Sequence, residues 1–298
     1  MMSTTTLPPL RGRLKTNEML APATWFRVGG AAEFLVRPAD CEDLCGFLRQ
    51  LPLEMPVMTI GAASNLIIRD GGVNGVVIRL ARGFGEVEVE SDGLVVGAAA
   101  LDTSVAEHAA AAGLSGLEFL SGIPGTIGGA VAMNAGAYGS DIANVLDWAE
   151  IVTREGRLYR LPVQDLELSY RHSQLPADAV VVRARLRAQL GDKSMIAARM
   201  HEIRTKREAT QPVRARTGGS TFANPEGYKA WELIDQAGCR GLRVGDAQVS
   251  DLHCNFLLNL GAATAAQLEA LGEDVRRRVM LQSGVTLRWE IKRIGVPT

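Results

Sequence analysis

Between Gly116 and Ser140 the chain reads GLEFLSGIPGTIGGAVAMNAGAYGS, with seven glycines in twenty-five residues. Within it, Gly122, Gly125 and Gly128 recur every third position, and Gly129 doubles the last. Glycine permits positive φ and lets a backbone approach a ligand with no Cβ in the way. Thr126 opens an apolar, small-residue run, Ile127 to Met133, that reads as a short helix whose N-terminal amides would face an anion. A cradle for a phosphate-bearing cofactor satisfies this pattern. So does a tightly packed helix–strand junction, and spacing alone does not choose between them.

The 298 residues suit about two domains at the usual ~150 residues each. Hydrophobic content of 47%, with 22% charged residues, describes an ordinary globular chain with ample core. A formal net charge of −1 gives no global field for nucleic acid. The start lacks the apolar core of a signal peptide and no run is long enough to span a bilayer, so a cytoplasmic location is the default expectation. Cys41, Cys45, Cys239 and Cys254 lack CxxC spacing and read as reduced, structural thiols. The four histidines are scattered, and no metal site is expected.

Along the chain, residues 1–20 look poorly ordered, at least at their start. A strand is expected over Ala32–Arg37, then a helix over Cys41–Leu51 capped by Asp40, with Leu44, Phe47, Leu48 and Leu51 on one face. Further strands are expected at Val57–Ile60, Leu66–Ile68 and Val76–Leu80. Glu86–Glu90 alternates as a half-exposed strand does. Leu94–Ala98 reads as a strand, Thr103–Ala112 as a helix stopped by Gly113, and Ile151–Arg160 as a hairpin. Val180–Arg187 is another strand. A boundary is placed at Gly191-Asp192, giving an N-terminal domain of residues 1–192 (subregions about 20–80 and 81–192) and a C-terminal one of 193–298. The latter holds helices at Ser194–Ala209 and Tyr228–Ala237, a strand at Asn255–Leu260, a capping box at Thr264 and Gln267, and a last strand at Leu287–Ile291.

No GxGxxG follows a first strand and no GxxxxGK[ST] occurs, which removes the Rossmann and common nucleotide-hydrolase readings. Two glycine-rich turns remain, Gly61 to Asn65 and Gly122 to Gly129, suiting one elongated phosphate-containing ligand. Polar residues in odd settings join them: Tyr170-Arg171, Ser220 after a double glycine, and Glu290. Each has a plain alternative. Glu290 can pair across strands, Arg171 can meet Asp165 or Glu167, and Ser220 can cap a turn. The basic run Arg204, Lys206, Arg207, Arg214 and Arg216 is either a solvated face or a draw for a diphosphate.

Five blocks, in order, settle the choice by resemblance. They are Gly61-Ala62-Ala63-Ser64-Asn65-Leu66, Gly122 through Gly139, Ser169-Tyr170-Arg171-His172-Ser173, Gly219 through Pro225, and Trp289-Glu290-Ile291-Lys292. The chain resembles the UDP-N-acetylenolpyruvoylglucosamine reductase family from Thr24 to Gly295. It resembles the family's shorter form, because Val180 follows Arg171 without room for an extra loop. The resemblance implies an α+β fold, with a two-part FAD-binding domain of the vanillyl-alcohol-oxidase (PCMH) type and a C-terminal α+β substrate-binding domain.

It also implies bound FAD, NADPH as hydride donor and a small-molecule UDP-sugar substrate, in a monomer without nucleic-acid or membrane partners. FAD would be held by Gly61, Ser64, Asn65, Gly122, Gly125, Thr126, Gly128, Gly129, Asn134, Gly136 and Tyr138. Arg171 and Glu290 would stabilise an enolate and Ser220 would protonate the carbanion, helped by Lys229 and Arg216, with Tyr170 and Asn224 orienting substrate. The Arg204–Arg216 segment would cover the UDP diphosphate. No His or Cys lies between Gly61 and Gly75 to tether a flavin, which argues against a flavin-linked oxidase.

Overall fold

The computed structural model describes residues 7–298; the first part of the stretch expected to be poorly ordered, residues 1–6, lies outside them. The elements of the first half are β1 (Arg13–Met19), β2 (Ala31–Arg37), α1 (Cys41–Gln50), β3 (Val57–Thr59), β4 (Leu66–Ile68), β5 (Val73–Ile78), β6 (Val87–Glu90), β7 (Gly93–Gly97), α2 (Asp102–Ala112) and α3 (Ile127–Met133). Strand β1 was not expected: it is almost wholly exposed, so it carries no apolar alternation to reveal it.

The chain divides into two compact units. The first takes residues up to Thr16, Phe34–Gly61 and Gly75–Ile203; the second takes Asn17–Glu33, Ala62–Asn74 and Arg204–Thr298. The boundary expected at Gly191-Asp192 therefore falls inside the first unit. Two early stretches group with the C-terminal residues for reasons that are visible in the second unit. There β4 pairs in parallel with Lys292–Ile294, and the Asp70 carboxylate accepts both the Ala265 and Ala266 amides at 2.9 Å. Phe26, Val28 and Ile67 share a core with Phe222, Leu233, Leu268 and Leu287.

A sheet runs in the order β1-β2-β5-β3, with β3 parallel to β5. Helix α1 covers it, starting at Asp40, whose side chain accepts the Asp43 amide. Burying Leu44, Phe47 and Leu48 against Val36, Val76 and Ile78 contributes about 1.5–3 kcal/mol per side chain. A five-stranded antiparallel sheet follows, in the order Leu158–Pro162, Leu146–Val152, Val180–Arg187, β7, β6. The alternate arginines of Val180–Arg187 meet the glutamates of β6: Arg183 reaches Glu88, while Arg185 reaches Glu90, Asp92 and Asp147. Helix α2 ends where Gly113 takes the left-handed conformation. Its Val105 and Ala109 pack with Ile127 and Val131 of α3 in the second core of the first unit.

In the second unit the helix Ala265–Ser283 begins with the expected capping box, Thr264 and Gln267 each taking the other's amide. The stretch Leu287–Ile291 is not a regular strand. It instead pairs with residues 221–223, and the named strand begins only at Lys292. All four cysteines are free thiols, and burial pushes Cys254 up to about 11 and Cys41 up to about 12. Among the described residues no helix is long and apolar enough to cross a membrane, and no acidic, His or Cys cluster could hold a metal.

Candidate functional site

The glycine stretch of the first unit folds back on α2. Leu101 and Thr126 form an antiparallel bridge, Asp102 N donates to Gly125 O at 3.2 Å, and Ile127 N donates to Ala100 O at 3.0 Å. Helix α3 forms as expected, with Thr126 at its N-cap, but its first amides do not face an open ligand site. Ile127 and Gly128 donate to the carbonyls of Ala100 and Ala98. Around this helix start the amides left without a partner among the described residues are those of Gly125 and Thr126, just before it, and of Gly129 in its first turn.

Side chains would not fit here. A Cβ on Gly61, at the end of β3, would collide with Thr126 Oγ1, and one on Gly125 would lie 2.6 Å from Asp102 Oδ2. A Cβ on Gly128 would sit 3.0 Å from that of Ala98, and one on Gly122 would strike the Tyr138 ring. Gly122, Gly125 and Gly128 therefore relieve crowding, as a packed junction requires, and Gly125, Thr126 and Gly129 also carry unpartnered amides. Two amides in a Gly-lined turn beside the end of a parallel strand suit a phosphate.

Asp102 lies behind this turn, fully buried, with no partner for either carboxyl oxygen among the described residues. Burial pushes its carboxyl well above the usual range, which favours the neutral form over a negative charge behind this turn.

Asn134 is buried at the left-handed C-cap of α3. Its Nδ2 donates to Ser169 O at 2.9 Å and its Oδ1 accepts the Ala143 amide, so its side chain is engaged inside the protein. In doing so it fixes the turn that carries Tyr170 and Arg171. Ser169 and His172 exchange both backbone hydrogen bonds at 3.0 Å, which leaves Tyr170-Arg171 at the tip. Arg171 has a φ of 57°, a strained conformation for a side-chain-bearing residue. Its Nη2 donates to Gly136 O at 2.8 Å, and its guanidinium lies 5.2 Å over the Tyr170 ring. Ser173 Oγ anchors the far side to Ala132 O.

In the second unit Ser220 and Glu290 are brought together by backbone pairing. Glu290 N donates to Thr221 O at 2.8 Å, Ala223 N donates to Arg288 O at 2.9 Å, and Phe222 bridges Trp289. The rings of Phe222 and Trp289 pack at 5.0 Å. Asn65 Nδ2 donates to Glu290 O at 3.2 Å, tying the early Ser64-Asn65 segment to the same place. Asn224 caps the helix Ala230–Gln236 by accepting the Ala230 amide at 2.9 Å. The two residues expected to help Ser220 have partners of their own. Lys229 is exposed and pairs with Glu232, and Arg216 donates to Gly261 O at 2.9 Å.

One functional residue was not legible in the sequence. Asn255 is buried, accepts the Phe222 amide at 2.9 Å, donates to Phe222 O at 2.8 Å, and takes the Thr221 amide on its own carbonyl at 2.7 Å. It clamps the residues that follow Ser220. Only its place thirty-odd residues downstream, in an otherwise ordinary apolar run, marks it in sequence.

These features define a flavin-binding oxidoreductase of α+β architecture. Residues 32–162 match the family model described as FAD binding domain, and residues 211–294 match that of the UDP-N-acetylenolpyruvoylglucosamine reductase C-terminal domain. The proteins of that reductase name from Acidiphilium cryptum and Gluconobacter oxydans are 66% and 64% identical to this chain. They cover 98% and 96% of it, over 94% of their own lengths. The crystal structure of the reductase from Thermus caldophilus superposes with a TM-score of 0.82 at 37% identity, covering 96% of this chain and 99% of that one. A 6-hydroxy-D-nicotine oxidase from Arthrobacter nicotinovorans, at 13% identity and a TM-score of 0.50, covers 96% of this chain over 63% of its own and shares the fold alone. The chain belongs to the UDP-N-acetylenolpyruvoylglucosamine reductase family.

Proposed function

We infer that the protein catalyses the NADPH-dependent reduction of UDP-N-acetylglucosamine enolpyruvate to UDP-N-acetylmuramate, in peptidoglycan precursor synthesis, as a cytoplasmic monomer without nucleic-acid partners. FAD, when bound, supplies hydride chemistry. The unpartnered amides of Gly125 and Thr126, beside Gly61 and in front of the buried Asp102, fit its diphosphate. We assign FAD binding to residues 1–192 and substrate binding to 193–298, a division that the family models at 32–162 and 211–294 support.

Reducing an enolpyruvyl double bond leaves negative charge delocalised into the neighbouring carboxylate. Arg171 supplies a permanent cation to those oxygens, and its strained turn fixes the direction of the guanidinium. Ser220 delivers the proton to carbon. A serine hydroxyl is a weak acid, so it must be held in place rather than merely present. The pairing of Glu290 with Thr221, next to Ser220, is the observation that carries this reading, because it fixes the donor's segment beside that of Glu290. Tyr170 and Asn224 orient the substrate.

The test is anaerobic. Protein-bound flavin is reduced with NADPH, UDP-N-acetylglucosamine enolpyruvate is added, and flavin absorbance is followed. Rapid reoxidation is expected, and its absence overturns the assignment. In Ser220→Ala, reduction by NADPH stays near normal while reoxidation collapses; equal loss of both halves refutes the proton-donor role.

A further inference from the structure

Most arginines of the first unit are well satisfied. Arg185 meets three carboxylates, Arg154 donates to the carbonyls of Leu48, Leu51, Pro52 and Met55, and Arg160 pairs with Glu150 while covering the Trp148 ring. Arg37 and Arg79 differ. Arg37 ends β2 and Arg79 follows β5, its neighbour in the sheet, and Arg79 N donates to Val36 O at 2.9 Å. The residues just before them, Val36 and Ile78, are buried under α1, so strand alternation turns both arginines to the other face. Both are half-buried. Among the described residues neither guanidinium has a carboxylate, a carbonyl or an aromatic ring as partner. Burial and the charge of Arg37 together hold Arg79 below its ordinary range.

Two half-buried cations side by side, with five N–H donors each, are unfavourable unless an anion joins them. Their place points to its kind. Ile60 N donates to Ile78 O at 2.9 Å, so Arg79 emerges at the same end of the parallel β3–β5 pair as Gly61. Ligands of such sheets collect at the carboxyl ends of the strands. One guanidinium fork saturates a carboxylate, whereas a phosphate has oxygens and charge enough for two.

We propose that Arg37 and Arg79 form a clip for a phosphate group of a bound dinucleotide. It rests on the function proposed above, which supplies two candidates: the diphosphate of FAD and the 2′-phosphate of NADPH.

Flavin-depleted Arg37→Gln, Arg79→Gln and double variants are titrated with FAD by fluorescence quenching. The reloaded proteins are then reduced with NADPH or NADH in a stopped-flow instrument to give each Kd. Losing a charged hydrogen-bond donor weakens binding about tenfold or more. If the clip holds FAD, the FAD Kd rises by that factor and the NADPH to NADH ratio is unchanged. If it holds NADPH, the FAD Kd is unchanged and only the NADPH Kd rises. A double variant with wild-type circular dichroism and all three affinities unaltered overturns the clip. A check independent of variant folding uses wild-type protein. Phenylglyoxal labelling read by mass spectrometry should show Arg37 and Arg79 protected together by FAD or by NADPH, and protection by neither also overturns it. Wild-type protein that binds FAD yet never reduces the enolpyruvyl substrate would instead sink the proposed function and leave the clip standing.

Discussion

Replacing Asn255 by alanine removes two hydrogen bonds to one buried residue, the Phe222 N–H at 2.9 Å and the Phe222 carbonyl at 2.8 Å. Both partners are then left in the interior without replacement, and each orphaned group costs about 1–3 kcal/mol, or roughly 2–6 kcal/mol together. The backbone bonds Thr221 N to Asn255 O and Glu290 N to Thr221 O do not depend on the side chain, so the unit should still fold with residues 220–222 loosened. Urea unfolding at one fixed, saturating FAD concentration measures the first effect, since ligand otherwise shifts stability by mass action. The second is kinetic: reoxidation of reduced flavin by substrate should slow about tenfold or more while reduction by NADPH stays within about twofold, because only the former needs a positioned Ser220. A loss below about 1 kcal/mol, or equal slowing of both half-reactions, refutes the clamp.

Asn255→Asp sharpens the test. The new carboxyl keeps an acceptor for the Phe222 amide but sets an oxygen against the Phe222 carbonyl, and only protonation restores a donor. Folding therefore raises its pKa. Its favourable contribution is complete below the unfolded value of about 3.9 and is lost as pH rises through the folded one. The gap in stability to wild type should widen from acid to neutral pH, and a constant gap counts against the assignment.

Asp102 gives a related pH dependence in the native chain. Its carboxyl is raised by burial, so it favours the fold below about pH 4 and this contribution is lost as pH rises towards the folded value, at about 1.4 kcal/mol per pH unit. Asp102→Asn should flatten that part of the Tm–pH profile, and parallel profiles refute the reading. Asp43 has the opposite sign. Burial works to raise its carboxyl, but hydrogen bonds from the Ala39, Arg11 and Gly12 amides, with the Arg11 charge, hold it below the usual range. Its contribution is present above about pH 4 and fades as pH falls through the lowered value. Asp43→Ala should cost about 2–3 kcal/mol at pH 7 and progressively less in acid; unchanged urea midpoints at pH 7 would exclude it.

How much was legible depends on the range of the interaction. The Asp40 cap, the Thr264–Gln267 box and the left-handed stop at Gly113 each rest on groups within about four residues, and all three form. Strand Val180–Arg187 was readable from its alternation, and the carboxylates that face its arginines came only with the sheet. At the site, the glycine turns, the Tyr170-Arg171 pair, Ser220 and Glu290 stand out as residue types in unusual settings. Their supports do not. Asn134, Asn255 and Asp102 are ordinary polar residues until burial removes water and makes each hydrogen bond, or its lack, consequential.

The sequence by itself determined the α+β class, the family and the local elements, because propensity, capping and motif spacing act over a few residues. Only the tertiary structure decided that residues 17–33 and 62–74 group with the C-terminal chain, since the parallel pairing of β4 with Lys292–Ile294 joins segments over two hundred residues apart. Likewise, the glycine stretch offered helix amides at Ile127 and Gly128, and tertiary pairing with Ala100 and Ala98 took these, leaving the donors at Gly125, Thr126 and Gly129. A backbone amide makes one good hydrogen bond, and which partner takes it is settled by where the rest of the chain lies.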